Sequence, residues 1–319
     1  MMINDEFYYY QRIRTELESF GGRFKTSSDS EIAMHLYRRH GVRGLKQLRG
    51  EFTILIFDRL RKKLFAVRDR VGVKPLYYTE HEGAWYFASE IKALLAAGVP
   101  AQWDHEAYAN RGFILRDRTV FNNIRSVKPG CWIIADESGL QTEQYWDWDF
   151  PDAQDTEQRS EAEMIESLRS TIEESVRLRL HADVPVGVCL SGGLDSSAML
   201  GIATELTGQP LQAFHLSFEG EQAYDERQFA EVAARHNRAH LNVLSVNSSD
   251  MADNFENALW HAEMPFANAH SVAKYLLCKY VQNQGMRAVL TGEGADEVFG
   301  GYPHYRRDMV LYNHENQDP

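Results

Sequence analysis

A glycine and serine loop between an apolar strand and a helix is the feature that most constrains the fold. The residues V-G-V-C-L lead into S-G-G-L-D-S-S, residues 191–197, and A-M-L-G-I-A continues as a helix. Backbone N–H groups and a helix N-terminus then meet at one point, which attracts anions. Gly192 and Gly193 let the backbone turn sharply and approach phosphate oxygens. The loop is predicted to bind phosphate, with an ordinary turn and a serine helix cap as the structural alternative.

Strands and helices alternate around this loop in the second half of the chain. Such alternation predicts a parallel sheet with crossover helices, which is an α/β arrangement. The predicted strands are 184–190, 211–218, 240–246 and 288–290, and the predicted helices are 161–180, 196–207, 226–236, 250–263 and 271–284.

The first half of the chain has short successive strands and few helices, which predicts antiparallel pairing in an α+β domain. The predicted strands are 52–57, 63–67, 75–79 and 84–88, and the predicted helices are 30–40 and 90–97. Residues 148–160 are polar, acidic and contain proline, as linkers do. We therefore predict two domains, 1–147 and 161–319.

Charge and composition exclude several classes of partner. A net charge of −12 over 319 residues argues against binding to nucleic acid or to an anionic membrane. The apolar runs are too short to span a bilayer, and no signal pattern is found at the start. Three widely spaced cysteines fit a reducing compartment, so a cytoplasmic location is expected.

The side chains of the loop indicate how a nucleotide is held. Ser191, Ser196 and Ser197 can donate hydroxyls to phosphate, and Asp195 suits a Mg²⁺ ion that bridges phosphates. Neither the Walker lysine motif nor the dinucleotide fingerprint is present. The loop resembles that of the ATP pyrophosphatases, which cleave ATP between its α- and β-phosphates and adenylate a substrate oxygen.

A second glycine-rich segment lies near the end of the chain. A-V-L-T-G-E-G-A-D-E-V-F-G-G-Y, residues 288–302, again breaks from a strand into glycines before carboxylates. Glu293, Asp296 and Glu297 stand three and four residues apart, so a helical turn would cluster them. They predict a second metal ligand and an acid or base, although carboxylates also complement the positive end of a helix.

These two motifs, with Y-D-E at 224–226 between them, resemble the synthetase domain of glutamine-dependent asparagine synthetases. The resemblance implies that Asp195 and Asp296 hold Mg²⁺ and that Glu293 assists the reaction of aspartate with ATP. The positions that it assigns to adenosine are Leu190, Leu216, Thr291 and Gly292.

The first domain is similar to the glutaminase domain of the same family. The similarity is carried by A-V-R-D-R-V-G-V-K-P-L-Y-Y at 66–78 and F-A-S-E-I-K-A-L at 87–94. It implies an Ntn hydrolase-like domain before an ATP pyrophosphatase domain of the adenine nucleotide alpha hydrolase-like fold, each expected to be incomplete here. Arg68, Asp69 and Arg70 are predicted to brace a turn and a domain contact.

Departures from the family pattern predict an inactive glutaminase half. Family glutaminases use an N-terminal cysteine, whereas this chain begins M-M-I, and Cys131 lies in an apolar strand where a thiol is inert. Asn4, Glu6 and Asp29 match glutamine-binding positions, but Asp5 replaces a glycine beside the oxyanion hole. An arginine before the start and a lysine beyond residue 279 are also missing, so we expect a chain shortened at both ends.

The expected reaction is ATP-dependent amidation of aspartate through β-aspartyl-AMP, with ATP and Mg²⁺ as cofactors. The expected partners are aspartate, ATP, and ammonia or glutamine, and a homodimer is one option for assembly. Alternatives are a relative such as a β-lactam synthetase or lasso-peptide cyclase, and a non-catalytic nucleotide-binding fragment. His261, Glu263 and Phe266 are candidates for an acceptor pocket, with a simple helix end as the other reading.

Overall fold

The structure is a computed structural model that describes residues 1–109, 117–150, 157–220, 225–266 and 268–312. The chain divides into two compact units. The first unit is Met1–Thr156 together with Leu259–Ala267, and the second is Glu157–Ala258 together with Asn268–Pro319. The predicted linker at 148–160 overlaps residues outside the described part of the chain.

The first unit contains two antiparallel sheets, as predicted from its successive strands. A five-stranded sheet has the order β1-β2-β3-β7-β8 and a three-stranded sheet the order β5-β4-β6. The strands are β1 Met2–Phe7, β2 Gly50–Asp58, β3 Lys63–Arg68, β4 Tyr77–His81, β5 Ala84–Ala88, β6 Arg125–Ser126, β7 Cys131–Asp136 and β8 Gly139–Gln144. The helices are α1 Tyr10–Ser19, α2 Glu31–His40, α3 Ile91–Ala96 and α4 His105–Ala109, with a 3₁₀ helix at Val42–Gln47.

The core of this unit lies between the five-stranded sheet and helices α1 and α2. Ile32 and Leu36, one helical turn apart on α2, are buried against Phe52 and Ile54, which point the same way from β2. Trp132 of β7 is fully buried in the same cluster. The apolar face of the helix and the apolar face of the sheet therefore pack together in one layer.

The turn after β3 is braced by two charged side chains. The carboxylate of Asp69, fully buried, accepts hydrogen bonds from the backbone N–H groups of residues 71–74 and of Phe52, at 2.7 to 3.3 Å. Arg68 donates to the backbone carbonyls of Gly72, Lys74 and Val127. The prediction that these two residues brace a turn is confirmed.

The second unit is built on a four-stranded parallel sheet of order β11-β10-β9-β12, which confirms the α/β prediction. The strands are β9 Val186–Cys189, β10 Gln212–Phe218, β11 His240–Val246 and β12 Ala288–Leu290. The helices are α5 Glu161–Leu180, α6 Leu194–Thr207, α7 Arg227–His236, α8 Ser248–Asp253, α9 Phe255–Ala262, α10 His270–Asn283, α11 Ala295–Phe299 and α12 Pro303–Tyr312. Residues of α9 from Leu259 onward belong to the first unit. Within the described part of the chain, no helix combines the length and apolar character needed to cross a bilayer.

The sheet of the second unit is covered on both faces. One face carries Val188, Leu200 and Ala230 among others, from the sheet, α6 and α7. On the other face, Phe214 of β10 packs against Val281 of α10. Both faces are apolar because crossover helices cover a parallel sheet from either side.

Two predicted elements differ from the structure. The single helix predicted at 250–263 is two helices, α8 and α9, separated at Asn254. A capping box at Asn247 starts α8 earlier, and the Asn254 side chain donates to the carbonyl of Asp250 at 2.9 Å, which competes with helix continuation. The strand predicted at 75–79 is displaced to β4 because Pro75 has no N–H to donate to a neighbouring strand.

Candidate active site

In the phosphate loop, residues 191–197, serine hydroxyls form hydrogen bonds to other atoms of the same loop. The Oγ atoms of Ser191 and Ser196 lie 2.9 Å apart, and the Ser191 N–H donates to Ser196 Oγ at 3.2 Å. The Gly193 N–H in turn donates to Ser191 Oγ at 3.2 Å. Ser196 is buried and its hydroxyl is used inside the loop, whereas Ser197 is only partly buried. The structure thus gives the first two serines a role in shaping the loop.

Gly192 is required by the path of the backbone. Its φ of +98° belongs to the left-handed region, and a Cβ there would lie 2.8 Å from the Ala230 nitrogen and the Phe229 Cβ. Gly193 begins α6 in extended conformation without a side-chain cap. The first N–H groups of α6 therefore have no capping side chain, and such groups bind anions.

The topology brings the second motif to the first. Strand β12 pairs in parallel with β9, with Leu290 opposite Val188, so both motifs leave the sheet at the same edge. A Cβ on Gly292 would lie 2.9 Å from the Cβ of Asp195 and 3.2 Å from the Ser196 nitrogen. A glycine at this position is therefore what allows the two motifs to touch.

The three carboxylates of the second motif lie around Tyr302. The tyrosine donates to Glu297 Oε1 at 2.8 Å, and this bond, burial and the charges of Glu297, Asp296 and Glu293 raise the pKa of Tyr302 to about 12. Asp296 and Glu297 lie in the first turn of α11. Glu293 does not lie on that turn as predicted, because Gly294, at φ +94°, starts the helix after it. Its carboxylate instead lies 2.5 Å from the ammonium of Lys274.

The predicted metal ligands Asp195 and Asp296 lie in the first turns of α6 and α11. Among the described residues, no three His, Cys, Asp or Glu side chains form a group that could hold a metal ion. Mg²⁺ is usually bound through one or two carboxylates together with substrate phosphates and water. Asp195 and Asp296 have the carboxylate oxygens that such an ion prefers, so their chemistry fits a Mg²⁺ ion bound together with phosphates.

The positions assigned to adenosine differ in exposure. The Leu190 side chain is 1% exposed and belongs to the core, whereas Leu216 is partly buried and Thr291 is exposed. Beyond Leu216, Ser217 Oγ donates to Asp225 Oδ1 at 3.2 Å. Residue 224 of the Y-D-E motif lies outside the described residues.

Sequence reasoning missed His215, which is 2% exposed on β10. Its Nδ1 lies 2.8 Å from the Leu190 carbonyl oxygen, and since a carbonyl only accepts, Nδ1 carries the proton. The Nε2 atom is buried and has no hydrogen-bond partner among the described atoms. The histidine fixes the backbone immediately before the loop, and the sequence signal was a titratable residue inside the mostly apolar strand A-F-H-L-S-F.

A groove of about 930 Å³ runs between α6 and α7. It begins at Gly192 and Ser197 of the loop and extends to Asn237 at the end of α7. Residues of the second motif do not line it, so this groove is separate from the junction of Gly292 with Asp195.

The residues matching a glutamine site lie at the edge of the first sheet. Ser30 Oγ donates to Asp5 Oδ1 at 2.8 Å, and the Phe7 N–H donates to Asp29 Oδ2 at 2.9 Å, which brings Asp5 and Asp29 together. Burial raises the pKa of Asp5 to about 6 against the opposing effect of the Ser30 hydrogen bond, with smaller contributions from nearby carboxylates. Asn4 and Glu6 are exposed on the same strand.

The cysteine in the first domain is buried, as predicted. Cys131 is 3% exposed at the start of β7, and burial raises the pKa of its thiol. A buried thiol with a raised pKa is a poor nucleophile, because the thiolate is the reactive form.

Glu263 is engaged at the start of α3, within the first unit. Its carboxylate accepts from the N–H groups of Ile91 and Lys92 at 2.6 and 2.7 Å and lies 3.1 Å from the Lys92 ammonium. It thereby satisfies the N-terminus of α3. The neighbouring candidates His261 and Phe266 are exposed and partly buried, respectively.

Comparisons with known proteins agree with this arrangement. Residues 1–146 match the family model of the glutamine amidotransferase domain, and residues 167–318 match that of asparagine synthase. Amidase chyE of Penicillium rubens is 33% identical and amidase chry2 of Gibberella zeae 34% identical, each over 97% of this chain and 48% of the relative. Glutamine-hydrolyzing asparagine synthetase 1 of Bacillus subtilis is 32% identical over 98% of this chain and 49% of that protein.

The chain spans about half the length of the curated relatives it matches. Among solved structures, the glutamine phosphoribosylpyrophosphate amidotransferase from B. subtilis superposes with a TM-score of 0.36 at 15% identity, covering 76% of this chain and 60% of that one. That likeness is too weak to bear on the fold. The two matches show that the chain belongs, over residues 1–146, to the glutamine amidotransferase domain family and, over residues 167–318, to the asparagine synthase family.

Proposed function

We propose that this chain carries the adenylating site of a carbon–nitrogen ligase that amidates aspartate with ATP. The observation that supports this most directly is the contact of Gly292 with Asp195, which joins the phosphate loop to the carboxylates of the second motif. A loop that binds phosphates and a group of acid and base residues then share one edge of the sheet. Ligand sites of open α/β sheets lie at such edges.

The proposed chemistry has two steps. A side-chain carboxylate oxygen of aspartate attacks the α-phosphorus of ATP, the bond to the β-phosphate oxygen breaks, and pyrophosphate leaves. Ammonia then attacks the activated carbonyl, the bond to AMP breaks, and one proton is lost from the nitrogen. The products are asparagine, AMP and pyrophosphate.

The residues of the two motifs have separate tasks in this proposal. The N–H groups at the start of α6 hold the phosphates, and Asp195 and Asp296 hold Mg²⁺, which when bound neutralises phosphate charge. Glu293 is the carboxylate available to receive the proton that ammonia loses, because it is exposed at the same edge. Leu216, Thr291 and the Leu190 backbone are the proposed adenosine contacts.

We further propose that the glutaminase half is inactive, so that free ammonia is the nitrogen source. By resemblance to the family, Asp5 stands beside the oxyanion hole, and burial, which raises its pKa to about 6, disfavours negative charge at this position. Cys131 is buried, and burial raises the pKa of its thiol, so it is a poor nucleophile.

A second candidate is ATP-dependent amide formation on a different carboxylate. Two relatives at 33% and 34% identity are named amidases rather than asparagine synthetases, which favours an acceptor other than aspartate. The two candidates use the same adenylating site and differ only in the acceptor.

Pyrophosphate release by the purified chain tests the proposal. Mg-ATP and aspartate are supplied with ammonium, with glutamine or with no nitrogen source, and Asp195→Ala is the control. We expect pyrophosphate release that depends on aspartate and is supported by ammonium. Glutamine should not replace ammonium. Asp195→Ala should reduce the release at least 100-fold, as for loss of a group that stabilises transition-state charge. ATP–pyrophosphate exchange with other carboxylates identifies a different acceptor, and binding of ATP without release or exchange refutes catalysis by this chain.

A further inference from the structure

Positive charge is scarce around the proposed nucleotide site. Residues 186–226, which contain the phosphate loop and β10, include no lysine or arginine, and neither do residues 288–305 around the second motif. These segments do contribute the carboxylates Asp195, Glu293, Asp296 and Glu297. Apart from the proposed Mg²⁺, a cationic group for a polyanionic nucleotide must therefore come from another element of the fold.

Helix α10 brings one lysine to this edge. Leu277 and Val281 of α10 pack with Phe214 of β10, which fixes the face of the helix turned to the sheet. Lys274 lies three and seven residues before these two positions, so it shares their face. Its ammonium lies 2.5 Å from the Glu293 carboxylate.

Glu293 links the same ammonium to the phosphate loop. Glu293 directly follows Gly292, and a Cβ on Gly292 would lie 2.9 Å from the Asp195 Cβ. The ammonium of Lys274, which pairs with Glu293, therefore lies near the junction of the two motifs.

The ion pair between Lys274 and Glu293 is weak enough for the lysine to take another partner. Each side chain is 65% exposed, and ion pairs between such exposed groups contribute little to stability. A lysine ammonium on a flexible four-carbon stem can move toward a more highly charged anion without disturbing the helix.

We propose that Lys274 is a nucleotide-binding residue of this chain. When ATP binds, the Lys274 ammonium moves away from the Glu293 carboxylate and contacts the ATP phosphates. This inference rests on the nucleotide site proposed above.

Equilibrium binding of Mg-ATP tests this role. We expect Lys274→Met to weaken binding about tenfold, the loss of one charge-assisted hydrogen bond, and to reduce the dependence of affinity on salt. Lys274→Arg should keep most of the affinity because it keeps the charge. Lys279→Met is the matched control on an exposed part of the same helix, and it should change affinity less than twofold.

Glu293→Gln separates a binding role from a structural one. If Lys274 binds phosphate, this substitution releases the ammonium and should leave Mg-ATP affinity unchanged or increased. If Lys274 acts only by bracing Glu293, then Glu293→Gln weakens binding as much as Lys274→Met, and the inference is overturned. Equal affinity of the wild type and a folded Lys274→Met variant overturns it as well.

The outcome is distinguishable from failure of the proposed ligase activity. A wild-type chain that binds Mg-ATP but releases no pyrophosphate with any carboxylate refutes the activity, while the Lys274 comparison still decides the inference. A wild-type chain that binds no Mg-ATP refutes both.

Discussion

Substitution of Asp5 by asparagine should change how the stability of this protein depends on pH. Asp5 lies on β1, where Ser30 donates to Oδ1 while Oδ2 is buried without a hydrogen-bond partner among the described atoms. Asparagine keeps the shape of the side chain and an acceptor for Ser30 but cannot ionise. Any difference between the two proteins that varies with pH then comes from the charge on Asp5.

The size and sign of the effect follow from the pKa of Asp5, which the fold raises from 3.8 to about 6. A carboxyl group with a raised pKa favours the folded state below pH 3.8, and this contribution is lost as the pH rises through about 6. A pKa shift of one unit corresponds to ~1.4 kcal/mol, so the shift of Asp5 changes the free energy of unfolding by at most ~3 kcal/mol. Because Asp5 is only partly buried, solvent screening reduces the expected change to ~1–2 kcal/mol.

Urea unfolding between pH 4 and pH 8 measures this difference. The free energy of unfolding of Asp5→Asn minus that of the wild type should increase by ~1–2 kcal/mol across pH 4 to 7 and then stay level. Glu137→Gln is the control, since that side chain is 85% exposed, and its difference should stay within ~0.5 kcal/mol. Parallel stability curves for Asp5→Asn and the wild type would show that Asp5 titrates normally and refute the reasoning.

Two further substitutions test other parts of the structure. Asp69→Ala should lower the free energy of unfolding by ~3–5 kcal/mol, because it removes a buried carboxylate and leaves several backbone N–H groups without an acceptor. Urea unfolding at pH 7 measures this loss, and a loss below ~1 kcal/mol contradicts the bracing role. Gly292→Ala should weaken Mg-ATP binding about tenfold while the protein stays folded, since its Cβ would press on Asp195 and displace the loop. Unchanged affinity for the alanine variant would mean that the two motifs do not need to touch.

Much of the fold could be predicted from the sequence because local signals agreed with the tertiary structure. Helix α5 has the predicted bounds, and it begins with a capping box in which Ser160 and Glu163 bond each other's backbone N–H groups. The break at Asn254 was not predicted, because the apolar pattern of 250–263 continues through it. The boundary between α8 and α9 is set by the Asn254 side chain, which donates to the backbone carbonyl of Asp250.

The candidate site was predictable as two motifs but not as an arrangement. Sequence order does not tell that β12 lies beside β9, so the approach of Gly292 to Asp195 depends on the strand order. The pairing of Lys274 with Glu293 depends on how α10 packs on the sheet. Glu263 reaches the start of α3 across 171 residues of sequence, and no local pattern encodes such a contact.

The electrostatics of the site follow from the same strand order. Parallel strands β9 and β12 direct both motifs to one edge, and the carboxylates that this collects would repel a nucleotide if nothing opposed them. The opposing charge comes from backbone N–H groups at the start of α6, which glycines leave accessible, and from the ammonium that α10 supplies. Backbone dipoles are fixed in place, whereas a lysine can change partners, so the site that we propose combines permanent phosphate donors with one movable charge. On this proposal, an acidic protein holds an anionic nucleotide through local geometry.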